Sequence, residues 1–533
     1  MTKDTKLDVI VVGAGFAGMQ MLYRLRGLGF SVRALESGDG VGGTWFWNRY
    51  PGARCDVESM QYSYQFSEEL QQEWDWTERY ATQPEILRYA NHVADRFDLR
   101  RDIEFGCRVA SAIFDEEDNH WCITTEDGTS LVARFCVMAT GSLSSAAVPE
   151  IDGLDTFNGQ YCHTGEWPTQ ALDLSTKRVA VIGTGSSGIQ AIPELARTSA
   201  HLTVFQRTPG YSLPAHNAPL SQEAVTEIKN NYSTFCAANK AEWGGVSYPG
   251  GMNATSALDV SEAERNREFE TRWETGGVGF LSSFSDLLFL PESNEMAARF
   301  IREKIRAEVN DPELAEALCP DVVVGCKRIC LDTEYYATFN RDNVTLVSVK
   351  DQPIEKITPK GLITGDQEYE FDCIVFATGF DAMTGALLKM DIQGRNGQTL
   401  QQKWSEGAPN YLGLCVHGFP NIFSICGPGS PSVLTNVLVS IDQHVNWIAD
   451  CIESLRERQV QCIEAESTAE ALWVEHGNEI VDLTLFTACN SWYAGANIPG
   501  KPQGFMPYAG GLPAYTAKCA EVAANNYEGF KLS

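Results

Sequence analysis

The same succession of residue types occurs twice in this 533-residue chain, and no other feature constrains the fold as much. An apolar run, a G-x-G-x-x-G turn, an amphipathic segment and a second apolar run follow one another from Leu7 to Leu35 and again from Arg178 to Phe205. Each unit is matched later by an apolar run that ends in Ala-Thr-Gly, at 139–141 and at 377–379. The pattern predicts an α/β protein with two Rossmann-like dinucleotide-binding domains.

The rest of the chain predicts how these domains are divided. Between about 214 and 321 the pattern is helical, with a capping box at Ser261–Glu264, a helix start at Asp311-Pro312, and apolar residues spaced by four from Ala297 to Val309. We therefore predict a helical insertion in the second domain. The predicted segments are 1–141 for the first domain, 142–213 for the second, 214–321 for the insertion, 322–379 for the second domain again, and 380–533 for the first.

Composition disfavours several classes of function. The 41 Lys and Arg residues stand against 70 Asp and Glu, a net charge of −29, so we expect no nucleic-acid partner. No apolar run approaches the roughly 18 residues that span a membrane, and we expect no membrane partner and no metal. The 16 cysteines contain no CxxC pair, which favours reduced thiols in a cytoplasmic enzyme.

The residues after each glycine turn indicate which nucleotide is bound. Gly13-x-Gly15-x-x-Gly18 is followed at the end of the next apolar run by Glu36, which can accept hydrogen bonds from a ribose diol. The corresponding position after Gly183-x-Gly185-x-x-Gly188 holds Gln206, followed by Arg207, which can pair with a 2′-phosphate. The first domain is thus predicted to bind a diol-bearing adenosine and the second to bind NADP.

Two adjacent nucleotide sites imply electron transfer between their cofactors, and the productive pairing is NADPH with FAD. The glycine- and aromatic-rich stretch Gly42–Gly52 is suited to cover a planar ring, although a core aromatic cluster would give the same pattern. Disulfide reductases share the two-site layout but need a redox pair of CxxC type. The nearest candidate, Cys326-x-x-x-Cys330, has the wrong spacing, which disfavours that class.

The segment Phe157–Pro168 reads F-x-G-x-x-x-H-x-x-x-W-P, with Phe157, Gly159, His163 and Trp167 at the defined positions. It resembles the fingerprint of the type I Baeyer–Villiger monooxygenases. Related N- and S-oxygenating flavoproteins look similar there but typically lack the tryptophan. The likeness runs from Gly13 to Phe530. The loop Gly427–Asn436, two residues longer than its counterpart in cyclohexanone monooxygenases, resembles the phenylacetone and steroid monooxygenase branch.

The resemblance implies NADPH- and O2-dependent conversion of ketones to esters or lactones through a C4a-peroxyflavin and a Criegee-type adduct, with sulfoxidation as a further activity. Such chemistry needs a fixed cation near the developing oxyanion. The resemblance assigns that role to Arg328 and makes Asp56 its partner. Without it, Lys327-Arg328 would be interpreted as a solvated surface pair and Asp56 as a turn residue.

The resemblance also assigns contacts, and His163 is expected to act structurally at a hinge. The FAD contacts are Gly13, Gly15, Gly18, Glu36, Gly43, Thr44, Trp45, Phe46, Trp47, Asp56, Tyr62, Val437 and, through its backbone, Val109. The NADP contacts are Arg54, Cys55, Asp56, Thr184, Gly185, Ser186, Ser187, Gly188, Ile189, Gln190, Arg207, Thr208, Lys327, Arg328 and Trp492, the last on a mobile loop. The loop of the substrate pocket contributes Ser430, Pro431, Ser432, Val433 and Leu434.

Two other functions remain open at this stage. The first is an amine or sulfide oxygenase on the same scaffold, and the second is a non-catalytic redox sensor that binds FAD and NADPH. For the leading function we expect a small ketone as the partner molecule, a cytoplasmic location, and a monomer or weak homo-oligomer.

The first testable prediction concerns the flavin. Because Glu36 follows the first glycine turn, we expect the purified protein to be yellow, with tightly but non-covalently bound FAD. Visible absorption and release of the flavin on denaturation measure this. A folded, colourless protein that takes up no added FAD would contradict the assignment.

Overall fold

The first fingerprint unit folds as a strand, a tight turn, a helix and a second strand. The computed structural model describes residues 6–533. Its first elements are β1 (Lys6–Val12), α1 (Phe16–Gly27), β2 (Val32–Leu35), α2 (Thr44–Trp47), α3 (Glu68–Glu73), α4 (Gln83–Arg96), β3 (Ile103–Glu104), β4 (Val109–Asp115), β5 (His120–Thr125) and β6 (Ser130–Met138). The last four residues of β1 are buried, as a central parallel strand requires. β1 pairs in parallel with β2 and β6.

The second unit builds a separate parallel sheet. Its elements before the insertion are β7 (Gln160–His163), β8 (Arg178–Ile182), α5 (Ser186–Thr198), β9 (His201–Gln206) and β10 (Ser212–Pro214). The insertion comprises α6 (Gln222–Asn230), α7 (Tyr232–Ala241), α8 (Glu262–Thr275), α9 (Pro291–Glu308) and α10 (Pro312–Leu318). The elements after it are β11 (Cys330–Asp332), α11 (Tyr335–Thr338), β12 (Val344–Ser348), β13 (Ile354–Thr358), β14 (Gly361–Thr364), β15 (Gln367–Glu370) and β16 (Cys373–Phe376). The strand order is β12-β9-β8-β16-β7.

The end of the chain returns to the first sheet. Its elements are α12 (Gly385–Leu388), β17 (Asp391–Gln393), α13 (Leu400–Lys403), β18 (Ile422–Ser424), α14 (Val437–Glu457), β19 (Ile463–Ala465), α15 (Ser467–Asp482), α16 (Leu512–Ala524) and β20 (Phe530–Leu532). β17 pairs with β4 and β18 pairs with β6, both in parallel. α14 lies against α1, where the Gln20 amide donates a 2.8 Å hydrogen bond to Asp442.

The α/β fold class predicted from the sequence is confirmed, and so are its local signals. Ser261 and Glu264 form a capping box at the start of α8, and Asp311 caps α10. The apolar face of α9 is buried from Ala297 to Ile305. α5 begins at Ser186, inside the second glycine turn, because the last residues of that turn themselves form the first turn of the helix. The segment boundaries stay a prediction, which the strand membership of the two sheets supports.

The expectation of reduced thiols throughout is wrong. Cys326 and Cys489 form a disulfide, with Cα atoms 5.9 Å apart and a separation of 163 positions in sequence. Cys330, the cysteine nearest to Cys326 in sequence, lies with its Sγ 3.2 Å from the Ser186 hydroxyl. Disulfide formation requires that two cysteines lie close together in the folded chain, so the spacing of neighbouring cysteines in sequence could not predict this bond.

Over residues 6–533, no helix has both the length and the apolar character needed to cross a bilayer.

The packing of the insertion can be tested on α9. Ile301 is completely buried, so Ile301→Ala should lower the free energy of unfolding by about 2–5 kcal/mol through lost burial and a residual cavity. Glu303 is exposed on the same helix, and Glu303→Ala should change stability by no more than about 0.5 kcal/mol. Denaturant titration measures both variants. Equal stability of the two would show that this face is not part of the core.

Candidate active site

The first glycine turn forms a cradle at the start of α1. Gly13 has a φ of +107°, and a Cβ there would lie 2.5 Å from the Ala139 carbonyl oxygen. A Cβ on Gly43 would lie 2.9 Å from the Cα of Gly15, so two backbones meet where only glycines fit. Gly15, the N-cap residue of α1, supplies no side-chain cap. The first N–H groups of the helix therefore suit a pyrophosphate, and the residues present fit FAD.

Glu36 is held at the end of β2 by main-chain donors. Its carboxylate accepts hydrogen bonds from the N–H of Ala14 at 2.7 Å and from the N–H of Gly38 at 2.8 Å. The residue is only 5% exposed. A fixed acceptor beside the glycine turn is the group that a ribose diol requires.

The predicted flavin-side aromatics gather around the short helix α2. The indole N–H of Trp45 donates to the Tyr62 hydroxyl at 2.9 Å, and both side chains are buried. The Phe46 ring lies so close to Gly38 that a Cβ there would come within 2.8 Å of it. Thr44 and Trp47 form the two ends of this helix.

The second glycine turn repeats the first at the start of α5. Gly183 has a φ of +109°, and a Cβ on Gly188 would lie 2.3 Å from the carbonyl oxygen of Gly183. Gly185, the N-cap residue of α5, supplies no side-chain cap, and Gly185 and Ser186 are exposed. The Thr184 hydroxyl lies 3.4 Å from the Thr208 carbonyl, closing the turn on the other side. This arrangement fits a second pyrophosphate.

Two cations stand near each other beyond β9. Arg207 is exposed and Lys327 is half-buried. Burial and the charge of Arg207 lower the pKa of Lys327. Within residues 6–533 neither side chain forms an ion pair. A pair of cations that the protein itself does not neutralise suits the 2′-phosphate of NADP.

The two nucleotide units are joined by Gln190 of α5. Its amide oxygen accepts a 2.7 Å hydrogen bond from the Tyr50 hydroxyl, and its amide nitrogen donates to the Arg54 carbonyl at 3.0 Å. The Arg54 guanidinium pairs with Glu78 at 3.3 Å. Two residues assigned to NADP, Arg54 and Gln190, are thereby brought together. Ser187 hydrogen-bonds Tyr50 on the same side.

Arg328 is half-buried where three segments meet. Its Nε and Nη2 donate to one carboxylate oxygen of Asp56, at 2.9 and 2.7 Å. Its Nη1 donates to the Val433 carbonyl at 2.5 Å. Asp56 belongs to the flavin-side segment and Val433 to the predicted pocket loop, so the arginine links the two.

Tyr493 is a third neighbour of Arg328 that the sequence did not reveal. Its hydroxyl lies close enough to the guanidinium to interact with its charge, and the side chain is 3% exposed. Burial raises the pKa of Tyr493 to about 12, and the charge of Arg328 offsets part of that rise. Its neighbour Trp492 packs with Val433 and Met383 in a small apolar cluster. The only signal available was its position next to Trp492.

Hydrogen bonds of its serine side chains restrain the pocket loop. Ser430 donates to the Gly427 carbonyl at 2.7 Å, and the buried Ser432 hydroxyl lies 3.0 Å from that of Ser142. Pro431 is buried, Leu434 is half-buried, and Val437 begins α14. A loop restrained in this way presents the Val433 carbonyl in a fixed place.

Three assigned contacts have side chains that point into the protein core. Cys55, Val109 and Ile189 are at most 6% exposed and belong to apolar clusters. Their side chains are therefore not brought to the nucleotide turns, and only their main-chain atoms remain candidates for contact.

The fingerprint between the units is structural in character. His163 ends β7, is 4% exposed, and accepts a 3.0 Å hydrogen bond on Nδ1 from the N–H of Gly165. Burial lowers the pKa of His163 to about 4, which keeps the ring neutral near pH 7. A Cβ on Gly159 would clash with the Phe157 ring. Trp167 is buried in the apolar cluster that includes β8 and α5 of the second unit. The motif serves packing at the junction and holds no group poised for proton transfer.

Comparisons with known proteins match this architecture over the whole chain. A family model described as pyridine nucleotide-disulphide oxidoreductase matches residues 10–245. A Baeyer–Villiger monooxygenase of Pseudooceanicola batsensis is 42% identical, over 99% of this chain and 97% of that protein. The structure of oxidised steroid monooxygenase bound to NADP is 50% identical with a TM-score of 0.94, covering 99% of each chain. The structure of OTEMO in complex with FAD and NADP is 39% identical with a TM-score of 0.95, covering 99% of each chain.

One similar protein is named for a different reaction. A phenazine N-monooxygenase of Lysobacter antibioticus is 43% identical, over 99% of this chain and 97% of that protein. Overall sequence identity therefore does not distinguish ketone oxygenation from nitrogen oxygenation. The distinction has to come from the residues of the site.

The two unpaired cations predict coenzyme choice. Each charge-assisted bond to the 2′-phosphate is worth roughly 1.5–3 kcal/mol, so NADPH should be preferred to NADH by at least about tenfold. Arg207→Ala should erode this preference mainly by raising the KM for NADPH, as measured by steady-state kinetics with both coenzymes.

A surface arginine of the same sheet serves as the control. Arg341 lies before β12, beside the start of β9 and so at the far end of that strand from Arg207. Arg341→Ala should leave the preference unchanged. A wild-type enzyme with equal kcat/KM for the two coenzymes would contradict the proposed phosphate site.

Proposed function

Since the chain belongs to the Baeyer–Villiger monooxygenases, we propose that Arg328, aligned by Asp56, is the cation on which its reaction depends. The family identity makes the protein an oxidoreductase that uses FAD, NADPH and O2 to convert ketones to esters or lactones. The individual roles of its residues are our proposal. The observation that carries it is the fixed, half-buried guanidinium at the meeting point of the flavin-side segment and the pocket loop.

The cofactor sites follow from the two glycine turns. Bound NADPH supplies a hydride to FAD, and reduced FAD supplies the activation of O2. We assign the FAD pyrophosphate to the turn at Gly13–Gly18 and its ribose to Glu36. We assign the NADP pyrophosphate to the turn at Gly183–Gly188, and its 2′-phosphate to Arg207 and Lys327.

Arg328 is suited to hold negative charge on a substrate oxygen. Three of the five N–H groups of a guanidinium are used in the bonds to Asp56 and Val433, and two remain for Tyr493 and the pocket. Because the side chain is already held in place, it needs no reorganisation when charge develops on the carbonyl oxygen. Asp56 orients the guanidinium and balances its charge while the site is empty of substrate anion.

The surroundings of Arg328 favour a ketone with an apolar body. The pocket loop and the loop of Trp492 meet in a cluster formed by Ala382, Met383 and Met506, with Val433 and Trp492 packed against it. A cation at the edge of an apolar cluster binds a carbonyl oxygen on one side and a hydrocarbon group on the other. We therefore propose apolar ketones as substrates.

N-oxygenation is the second candidate, because a phenazine N-monooxygenase is 43% identical. Attack on a carbonyl carbon creates an oxyanion with no positive charge of its own, which a fixed cation stabilises. The oxygen of an N-oxide is instead compensated by the positive charge on the nitrogen to which it is bonded. The Arg328–Asp56 pair therefore favours the ketone reaction. Product analysis with a ketone panel, a phenazine and an aryl sulfide separates these reactions and tests sulfoxidation as well. N-oxide from the phenazine without ester from any ketone would overturn our proposal.

A cytoplasmic location and a monomeric or weakly associating state remain predictions made from the sequence. Fractionation of the source cells and light scattering of the purified enzyme test them.

The central prediction concerns Arg328. Removing one fixed donor to a developing oxyanion typically costs about 10²–10³ in rate. Arg328→Ala should therefore retain FAD and bind NADPH but lose ester formation by that factor, with hydrogen peroxide released for the NADPH consumed. Gas chromatography of the ester and a peroxide assay measure the two products.

A conservative change provides the comparison. Arg328→Lys should restore activity only partly, because an ammonium group cannot reproduce the planar contact with Asp56. Near-normal ester yield from Arg328→Ala, with full FAD occupancy, would place the required cation elsewhere.

A further inference from the structure

The disulfide joins the two segments that meet at the active site. Cys326 stands two residues before Arg328, and Cys489 stands three residues before Trp492. Cys326 is fully buried, whereas Cys489 is half-buried and can be reached from solvent. The bond therefore fixes the start of the loop 489–504 to the segment that carries the central arginine.

The other end of this loop is held by polar contacts. The Lys501 ammonium pairs with Asp381 at 2.5 Å and donates to the Ala382 carbonyl at 2.8 Å. The Asn497 amide donates to the Phe380 carbonyl at 2.8 Å. The loop thus has a covalent attachment at Cys489 and polar attachments at Asn497 and Lys501, and Trp492 and Tyr493 lie between them.

We propose that the Cys326–Cys489 disulfide is a redox-sensitive positioning bond for the reaction. When it is intact, it holds Tyr493 against Arg328 and Trp492 against the pocket loop. When it is reduced, the loop is held by its polar contacts at Asn497 and Lys501 without the covalent bond, and more of the NADPH consumed yields hydrogen peroxide instead of ester. The proposal rests on the proposed function for its catalytic readout.

The redox step is an exchange with a dithiol. A thiolate of the dithiol attacks the Sγ of Cys489, the more accessible sulfur, the protein S–S bond breaks, and Cys326 leaves as a thiolate that takes up a proton. The second thiol of the reagent then displaces Cys489. The dithiol ends as a disulfide, and the protein gains two electrons and two protons. A peroxide reverses the change by taking the two electrons and two protons as its O–O bond breaks. Hydrogen peroxide leaves as two waters, and an alkyl hydroperoxide leaves as an alcohol and a water.

The effect should fall on coupling more than on turnover. A loop that closes over a site excludes water and completes the arrangement of groups around the substrate. Loosening it displaces Tyr493 and Trp492 while the glycine turns and Glu36 stay in place. A bond that merely stabilised the fold would change the melting temperature but not the ratio of ester to NADPH.

The first measurement establishes the bond. Enzyme purified in air is alkylated before and after treatment with dithiothreitol, digested, and analysed by mass spectrometry. We expect peptides containing Cys326 and Cys489 to be linked before reduction and separately alkylated after it. Hydrogen exchange across residues 489–504 should become faster on reduction, which reports on the loop without reference to activity.

The second measurement compares variants. Dithiothreitol-treated wild type and untreated Cys489→Ser should both show about fivefold less ester per NADPH than oxidised wild type, at the lower end of typical coupling between elements. Their rates of NADPH oxidation should stay within about twofold of wild type. The reagent should have no further effect on Cys489→Ser. Cys319→Ser, which removes a half-buried thiol after α10, should behave as wild type in both states.

Two results would overturn the inference. The first is free thiols at both positions in enzyme kept in air, and the second is an unchanged ratio of ester to NADPH after complete reduction. If oxidised enzyme gave no ester from any ketone, the proposed function would fail instead. Hydrogen exchange would then still show whether the bond restrains the loop.

Discussion

The ion pair between Arg328 and Asp56 is the interaction on which the rest of the site depends. It joins residues 272 positions apart in sequence, one after the first glycine turn and one after the helical insertion. Both side chains are less than one-third exposed, so loss of either partner would leave a charge poorly solvated. The pair therefore sets the position of the guanidinium, and through the Val433 carbonyl it also sets the position of the pocket loop.

Much of the fold was predictable because its signals are local. The glycine turns, the capping box of α8 and the buried face of α9 each depend on residues within one or two turns of one another. Glu36 and Arg207 could be located because each lies at the end of the apolar run that follows its glycine turn. These features obey backbone sterics and helix capping, which act over short distances along the chain.

The site itself was predictable only through the family resemblance. Nothing near Lys327-Arg328 in the sequence shows that Asp56 lies within hydrogen-bonding distance of it. Tyr493, the Lys501–Asp381 pair and the Cys326–Cys489 bond were missed for the same reason, since each is defined by a tertiary contact. Conversely, Cys55 and Ile189 were assigned through the family resemblance, and the structure buries their side chains in apolar clusters.

The way the first sheet is assembled has a consequence for synthesis of the protein. Its strands come from both ends of the described chain, with β17 and β18 added to β4 and β6 only after the whole second sheet has been encoded. On a ribosome, the strands between 160 and 376 can therefore pair while the first sheet still lacks two strands and α14. The second domain can therefore complete its sheet before the first domain does. The first domain stays incomplete until β17, β18 and α14 have been synthesised.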